Sequence, residues 1–229
     1  MNSEDAIRKE LCEIGKRVYE RGMVAANDGN FSVKLNENEF LCTPTGVSKG
    51  FMSPACICRI DAEGNLLEAE QGFRPSSEMK MHMRIYQERP DVKAVVHAHP
   101  PYATTFAIAG IPLEKPIIAE TLLILGRVPV AAYGTPSTDE VPDSVAEYIA
   151  EYDAVLLSNH GAVTCGDSLM NAYFKMESLE FYARQLYQTK LLGQARELTA
   201  AQVETIYEIR RRSGMTGRHP ATNDSFKKP

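Results

Sequence analysis

The chain has 229 residues, of which 44% are hydrophobic and 24% are charged, as in an ordinary globular protein. Its formal net charge is -5, and its basic residues are scattered apart from Arg210, Arg211 and Arg212, so we expect no nucleic-acid partner. No apolar run approaches the roughly 20 residues of a membrane-spanning helix, and the N-terminus lacks the basic and apolar segments of a signal peptide. The five cysteines follow no disulfide framework. We therefore expect a reduced, cytoplasmic protein with no membrane partner.

Helical and strand patterns alternate along the chain, with no internal repeat and no Pro/Ser linker, which favours one α/β domain. Apolar residues at helical spacing predict a first helix near the N-terminus. Alternating residues predict two hairpins, at 31–43 and 57–69. Cys56 and Cys58 alternate at the start of the second hairpin, so we expect them to be small strand residues rather than metal ligands.

The second half of the chain contains the longest predicted helices. Ser76 or Ser77 is expected to cap one helix, and Asp167 is expected to cap a long helix that follows the last strand pattern. We expect the folded domain to span residues 1–215. The tail at 216–229 is rich in polar residues, and we expect it to be flexible or to lie at an interface.

The stretch from Val92 to Pro100 predicts a buried strand that ends in two histidines. Residues two apart on a strand point to the same face, so His97 and His99 can direct both imidazoles at one cation. Divalent metals such as zinc are commonly bound in this way. Taken alone, the stretch is equally well explained by two histidines that bond to the backbone or to solvent.

His160 is the third candidate ligand, because it follows a strand pattern at 154–158 and precedes a glycine. Three histidines leave one coordination position open for substrate, as in catalytic zinc sites. Glu78 and His82, four residues apart on a predicted helix, form a rival ligand pair. His82 is better explained as a residue that supports the ligands, and His219 lies in the tail.

Glu78 begins a predicted helix, where the helix dipole favours an ionised carboxylate. It could bind the cation, act as a general base, or only satisfy the helix end. Ser76, Ser77 and the helix N-terminus offer hydroxyls and N–H groups to an anion such as phosphate. Two further loops of small residues could also bind this anion, Gly29-Asn30 and Thr45-Gly46. Each loop taken alone predicts no more than a turn.

Five short motifs occur in one order along the chain: Gly29-Asn-Phe-Ser-Val, Thr43-Pro-Thr-Gly46, Pro75-Ser-Ser-Glu78, His97-Ala-His-Pro100 and Ser158-Asn-His-Gly161. Together they resemble the zinc-dependent class II aldolase/adducin family over nearly the whole chain. The resemblance implies a single three-layer α/β/α domain with a central, largely antiparallel sheet. It also implies a fourfold homotetramer whose active sites lie between subunits.

The same resemblance assigns roles to individual residues. It implies that His97, His99 and His160 hold zinc, with Mn²⁺ or Co²⁺ as other candidate cations. It implies that Glu78 is the catalytic acid/base and also a ligand of the cation. The residues that it implies for the phosphate of a phosphorylated sugar are Gly29, Asn30, Thr45, Gly46, Ser76 and Ser77.

The implied reaction cleaves a short ketose 1-phosphate, such as L-fuculose 1-phosphate, to dihydroxyacetone phosphate and an aldehyde through a metal-stabilised enediolate. Glu78 would return a proton to the carbanion. Glu120 stands near the place where the fuculose enzyme has a tyrosine from the adjacent subunit. We expect Glu120 either to reach a neighbouring active site or to be an exposed carboxylate.

Other activities on the same scaffold remain open at this stage. They are a sugar-phosphate 4-epimerase, a sugar-acid phosphate decarboxylase and a methylthioribulose-phosphate dehydratase. A non-catalytic, adducin-like interaction module is the rival from another class, although the three histidines and Glu78 favour an enzyme.

Overall fold

The computed structural model describes residues 4–193 and 195–221. The strands within these residues are β1 (Asn30–Lys34), β2 (Glu39–Cys42), β3 (Cys58–Asp61), β4 (Leu66–Glu68), β5 (Ala94–Ala98), β6 (Val130–Ala131), β7 (Ala154–Leu157) and β8 (Gly161–Gly166). They form one sheet in the order β4-β3-β2-β1-β5-β8-β7-β6. Only the edge pair β6 and β7 is parallel, so the sheet is largely antiparallel, as predicted.

Helices cover both faces of the sheet. They are α1 (Glu4–Glu20), α2 (Met79–Glu88), α3 (Pro101–Ile108), α4 (Ala119–Ile124), α5 (Glu140–Ile149), α6 (Leu169–Leu191) and α7 (Ala200–Arg212). One core lies under α1, α3 and α6, and a second core lies under α2 and α5. Val95 and Val96 of β5 are both fully buried but belong to different cores, because successive strand residues face opposite sides. The three-layer α/β/α prediction is therefore confirmed.

Three local predictions differ from the structure. Neither Ser76 nor Ser77 caps α2. The chain makes a turn at 76–79, so the helix begins at Met79 and Glu78 occupies the N-cap position. The long helix α6 is capped by Ser168 rather than Asp167, and the Ser168 hydroxyl accepts the Asn171 N–H. The segment Pro54–Cys56 is a 3₁₀ turn, so only the second cysteine of the Cys-x-Cys pair lies in β3.

The beginning of the tail is packed rather than loose. His219 is fully buried, and its Nε2 lies 2.6 Å from the carbonyl oxygen of Leu122. The backbone N–H of Arg218 donates to the carboxylate of Asp153. Residues 216–221 are thus held against the domain, the interface role predicted for the tail stays a prediction, and residues 222–229 lie outside the described residues. No helix among the described residues has the length and apolar character needed to cross a membrane.

Asp153 joins several elements through one buried charge cluster. Its carboxylate lies 2.9 Å from Nη2 of Arg89, which follows α2, and 2.7 Å from Nζ of Lys175 in α6. The side chain of Asp153 is only 2% exposed. Removing its charge would leave two buried cations without their shared counter-charge, which costs more than an intact pair contributes.

We expect Asp153→Asn to lower the free energy of unfolding by about 3–5 kcal/mol, because it removes one partner of a buried ion pair. Urea denaturation followed by circular dichroism measures this change. The matched control is Asp139→Asn, since Asp139 pairs with Lys80 at the surface and its side chain is 79% exposed. That substitution should cost less than about 1 kcal/mol. Equal costs for the two substitutions would contradict this description of the cluster.

Candidate metal centre

The pairing of β5 with β8 brings three histidines together. His97 lies in β5, His99 directly follows that strand, and His160 lies in the turn between β7 and β8. The pair Ala98 and Ala162 face each other across the two strands, which places the turn beside the end of β5. A Cβ atom at Gly161 would lie 2.5 Å from the carbonyl oxygen of Ala98, so the close approach requires glycine after His160.

The three imidazoles converge at one point. Their ring centroids are 4.7–5.0 Å apart, and one ligand nitrogen from each ring lies within 4.8 Å of the others. Nε2 of His97 and Nε2 of His99 are 3.1 Å apart. Two nitrogens bound at about 2.0–2.1 Å to one tetrahedral zinc are separated by roughly 3.3 Å. The spacing therefore fits a shared divalent cation.

The contacts of the rings leave nitrogens of the cluster available to a cation. Nδ1 of His97 donates to the carbonyl oxygen of Ala162 at 3.0 Å, which leaves the Nε2 lone pair for a cation. Burial, together with the nearby ring of His97, lowers the pKa of His99 to about 4. Nδ1 of His160 is buried without a hydrogen-bond partner among the described residues. Three converging histidine nitrogens are a typical donor set for zinc and for neighbouring transition metals.

Glu78 lies directly beside this cluster. Its carboxylate oxygens are 3.3 Å from Nε2 of His97 and 3.2 Å from Nε2 of His160. Burial disfavours the charged carboxylate, but the interactions with these two histidines outweigh burial, so the pKa of Glu78 lies well below its usual range. An ionised carboxylate at this position could bind a cation or exchange a proton with a substrate bound beside it.

A chain of buried side chains supports Glu78 from behind. The Asn30 amide nitrogen donates to Glu78 Oε2 at 2.7 Å, which turns the Asn30 amide oxygen toward Nε2 of His82, also at 2.7 Å. Nδ1 of His82 therefore accepts from the Ser32 hydroxyl, which accepts from the Tyr86 hydroxyl. Both nitrogens of His82 are engaged in this chain, so neither is available to a cation as the rival pair Glu78 and His82 would need.

A cavity of about 330 Å³ opens in front of His99, His160 and Glu78. Five of the six residues predicted to hold phosphate line it: Gly29, Asn30, Thr45, Ser76 and Ser77. Gly46 is not among the lining residues, although it occupies the left-handed backbone conformation, with φ of 74°, that turns the Thr45 loop. The structure thus brings the three predicted loops and the histidines to one cavity.

The sequence reasoning missed six residues that also line this cavity: Asn27, Asp28, Pro44, Lys49, Pro136 and Ser137. Asp28 lies 3.4 Å from Nδ1 of His99, and the hydroxyls of Ser77 and Ser137 are 2.7 Å apart. Lys49 follows the Thr-Gly loop closely in sequence, which is the one signal that could have identified it. Ser137 could not have been found, because its loop reaches Ser77 only through the packing of α5 against α2.

Glu120 does not line this cavity in its own chain. It is exposed in the first turn of α4 and lines a separate cavity of about 790 Å³ together with residues of α3 and α6. Glu120 could therefore contribute to a metal centre only in a neighbouring subunit. That role stays a prediction.

Comparisons with known proteins identify the family of this chain. The family model described as "Class II Aldolase and Adducin N-terminal domain" matches residues 9–187. The chain is 32% identical over 206 residues to 3-oxo-tetronate 4-phosphate decarboxylase of Escherichia coli K12, covering 87% of this chain and 94% of that protein. It is 31% identical over 201 residues to 5-deoxy-D-ribulose 1-phosphate aldolase of Bacillus thuringiensis, covering 87% and 92%.

A solved structure has the same fold. The L-fuculose-1-phosphate aldolase of Thermus thermophilus superposes with a TM-score of 0.71 and 32% identity. The superposition covers 83% of this chain and 97% of that protein. The similarity therefore includes nearly all of the solved protein.

We expect His160→Ala to lose bound zinc, because it removes one of three converging ligands. The loss of affinity should exceed the about 10–100-fold that removal of a supporting partner costs. Metal analysis of the protein after equilibrium dialysis against buffered zinc measures the change. His219→Gln is the control, because His219 is buried against α4 and outside the cluster, and it should keep the wild-type zinc content. Unchanged zinc content in His160→Ala would contradict this site.

Acid should destabilise the protein partly through His82. Burial lowers the pKa of His82 from 6.5 to about 3 in the folded state, so between these values the unfolded chain binds the extra proton. The stability contributed by neutral His82 is therefore present above pH 6.5 and is lost as the pH falls toward 3, by at most about 1.4 kcal/mol per pH unit.

His82→Gln removes this titrating group and should flatten the decline of stability between pH 6 and about 4. Urea denaturation of both metal-free proteins across this range measures the two slopes. Parallel slopes would show that His82 does not bind a proton on unfolding.

Proposed function

Because the chain belongs to the class II aldolase and adducin family, we propose that it is a zinc-dependent aldolase that cleaves a short ketose 1-phosphate to dihydroxyacetone phosphate and an aldehyde. The observation that supports this most strongly is the position of Glu78. Its ionised carboxylate lies within 3.3 Å of two histidines of the cluster and opens onto the cavity that the serine loops line. The proposed acid/base group, cation site and phosphate site would thus be adjacent.

A divalent cation held by the three histidines would polarise the substrate carbonyl and stabilise the negative charge left when the C–C bond breaks. The loops around Thr45, Ser76 and Ser77 would hold the phosphate and so fix which carbon faces Glu78. Glu78 would then deliver a proton to that carbon, or remove one in the reverse direction. The Asn30 amide, bound to Glu78 Oε2, keeps the carboxylate turned toward the cavity.

The aldehyde half of the reaction needs a second proton donor. We propose that Glu120 of a neighbouring subunit has this role in a homotetramer. Exposure of Glu120 at the start of α4 supports the proposal, since the side chain is available to a second copy of the chain. With His97, His99 and His160 contributed by one subunit and Glu120 by another, the active site would then be complete only in the oligomer.

Decarboxylation of a 3-oxo sugar acid phosphate is the second candidate, because one of the similar proteins is a 3-oxo-tetronate 4-phosphate decarboxylase. Loss of CO₂ would also leave a carbanion that Glu78 could protonate. It would not require a second acid/base for an aldehyde oxygen. The two reactions therefore use the same histidines and the same carboxylate but differ in their need for Glu120.

Deuterium exchange into dihydroxyacetone phosphate tests the aldolase proposal without an aldehyde. We expect the zinc-loaded protein to exchange one C–H of this compound stereospecifically, as followed by NMR in D₂O. Glu78→Gln should slow the exchange by about 10²–10⁴-fold, because it removes the proton-transfer group. Glu88→Gln is the control, since Glu88 lies at the other end of α2 and pairs with Arg84. It should exchange at the wild-type rate.

Two outcomes would change the proposal. No exchange by the zinc-loaded protein, together with CO₂ release from 3-oxo-tetronate 4-phosphate, would establish the decarboxylase instead. Equal rates of deuterium exchange in wild type and Glu78→Gln would contradict the acid/base role of Glu78 in either reaction.

A further inference from the structure

Lys49 is a buried cation in the wall of the metal-facing cavity. It follows the Thr45-Gly46 loop, begins the 3₁₀ turn Lys49–Phe51, and is only 1% exposed. Lysine is rarely buried to this extent unless a partner compensates its charge. Among the described residues that line this cavity, Lys49 is the only lysine or arginine.

The hydrogen bonds of Lys49 leave its charge uncompensated. Nζ donates to the carbonyl oxygens of Asn27 at 2.9 Å and Val47 at 2.8 Å. An ammonium group has three N–H donors, and both of these partners are neutral. Within the described part of the chain, Lys49 forms no ion pair, whereas the buried lysines Lys34 and Lys175 pair with Glu37 and Asp153.

The two carbonyl partners place the ammonium between the predicted phosphate loops. Asn27 lies two residues before Gly29, and Val47 directly follows the Thr45-Gly46 loop. The other groups that these loops and the serines offer to a phosphate are hydroxyls and backbone N–H groups, which are uncharged donors. A phosphate dianion in this cavity would therefore meet one buried positive charge besides any cation at the histidines.

Lys49 is still largely charged near neutral pH. Burial lowers the pKa of Lys49 to about 8, although the negative charge of Asp28 acts in the opposite direction. A buried charge without a bonded counter-ion is costly, and an arriving anion would relieve this cost. The protein thus holds an ammonium group in an environment that a phosphate would improve.

We infer that the Lys49 ammonium is the counter-charge of the substrate phosphate and makes the cavity specific for phosphorylated over unphosphorylated substrates. The inference rests on the proposed phosphorylated substrate and adds a binding residue to it. It assigns Lys49 a role that the neutral loops cannot supply, since a charge-assisted hydrogen bond is roughly twice as strong as a neutral one.

Binding of inorganic phosphate to the zinc-loaded protein tests this inference directly. Titration calorimetry should show a Kd about 10–100-fold weaker for Lys49→Gln than for wild type, because the ionised hydrogen bond is lost while the glutamine amide can still donate to the two carbonyls. Lys16→Gln is the matched control. It removes the same charge from the exposed face of α1 and should leave the Kd unchanged.

A measurement on wild type keeps the test independent of whether Lys49→Gln folds. Lysine labelled with ¹⁵N reports on Nζ directly by NMR. Adding phosphate should shift the Nζ resonance of Lys49, which Lys49→Arg identifies by its absence, and should leave the resonance of Lys16 in place.

The outcomes separate this inference from the proposed reaction. A phosphate Kd that is equal in wild type and Lys49→Gln, or an Nζ resonance that phosphate does not shift, would overturn the inference even if deuterium exchange occurs. If phosphate affinity depends on Lys49 but no deuterium exchanges into dihydroxyacetone phosphate, the result would support the inference and contradict the proposed aldolase reaction.

Discussion

The antiparallel pairing of β5 with β8 is the constraint on which the rest of the site depends. His97 and His99 come from the end of one strand, and His160 comes from the turn that leads into the other. The register that sets Ala98 opposite Ala162 brings all three rings to one point. A shift of one residue would turn each side chain of β5 to the other face of the sheet and separate the rings. Gly161 stabilises this register, because without a side chain it lets its own backbone approach that of Ala98 closely.

The electrostatics of the site follow from what this pairing buries. His99, His160 and the ionised carboxylate of Glu78 face one end of the cavity, where a cation would balance the carboxylate. An unpaired ammonium, that of Lys49, lies in the cavity wall between the loops, where an anion would balance it. A phosphorylated substrate with a metal-binding carbonyl would bind the cation at one end of the cavity and place its phosphate near Lys49 at the other. The Asn30 to Tyr86 chain holds Glu78 in place without adding charge, because its members are neutral.

Local sequence patterns predicted those site residues whose positions depend on a single strand or loop. Strand alternation placed His97 and His99 together, and the motif order identified the family and its antiparallel sheet. The start of α2 was misjudged, because a turn after Ser76 moves the helix start and leaves both serines lining the cavity instead of capping. Lys49 and Ser137 were missed because their roles depend on contacts between distant segments, which periodicity does not encode. The packing of 216–221 was missed for the same reason, since Asp153 and Leu122 hold it.

Anomalous diffraction from crystals of the zinc-loaded protein tests the central claim most directly. Data collected at the zinc edge locate the bound cation independently of any assumption about catalysis. We expect one strong peak at about 2.0–2.1 Å from a nitrogen of each of His97, His99 and His160, beside the Glu78 carboxylate. Zinc bound elsewhere, with no peak among these three rings, would contradict it.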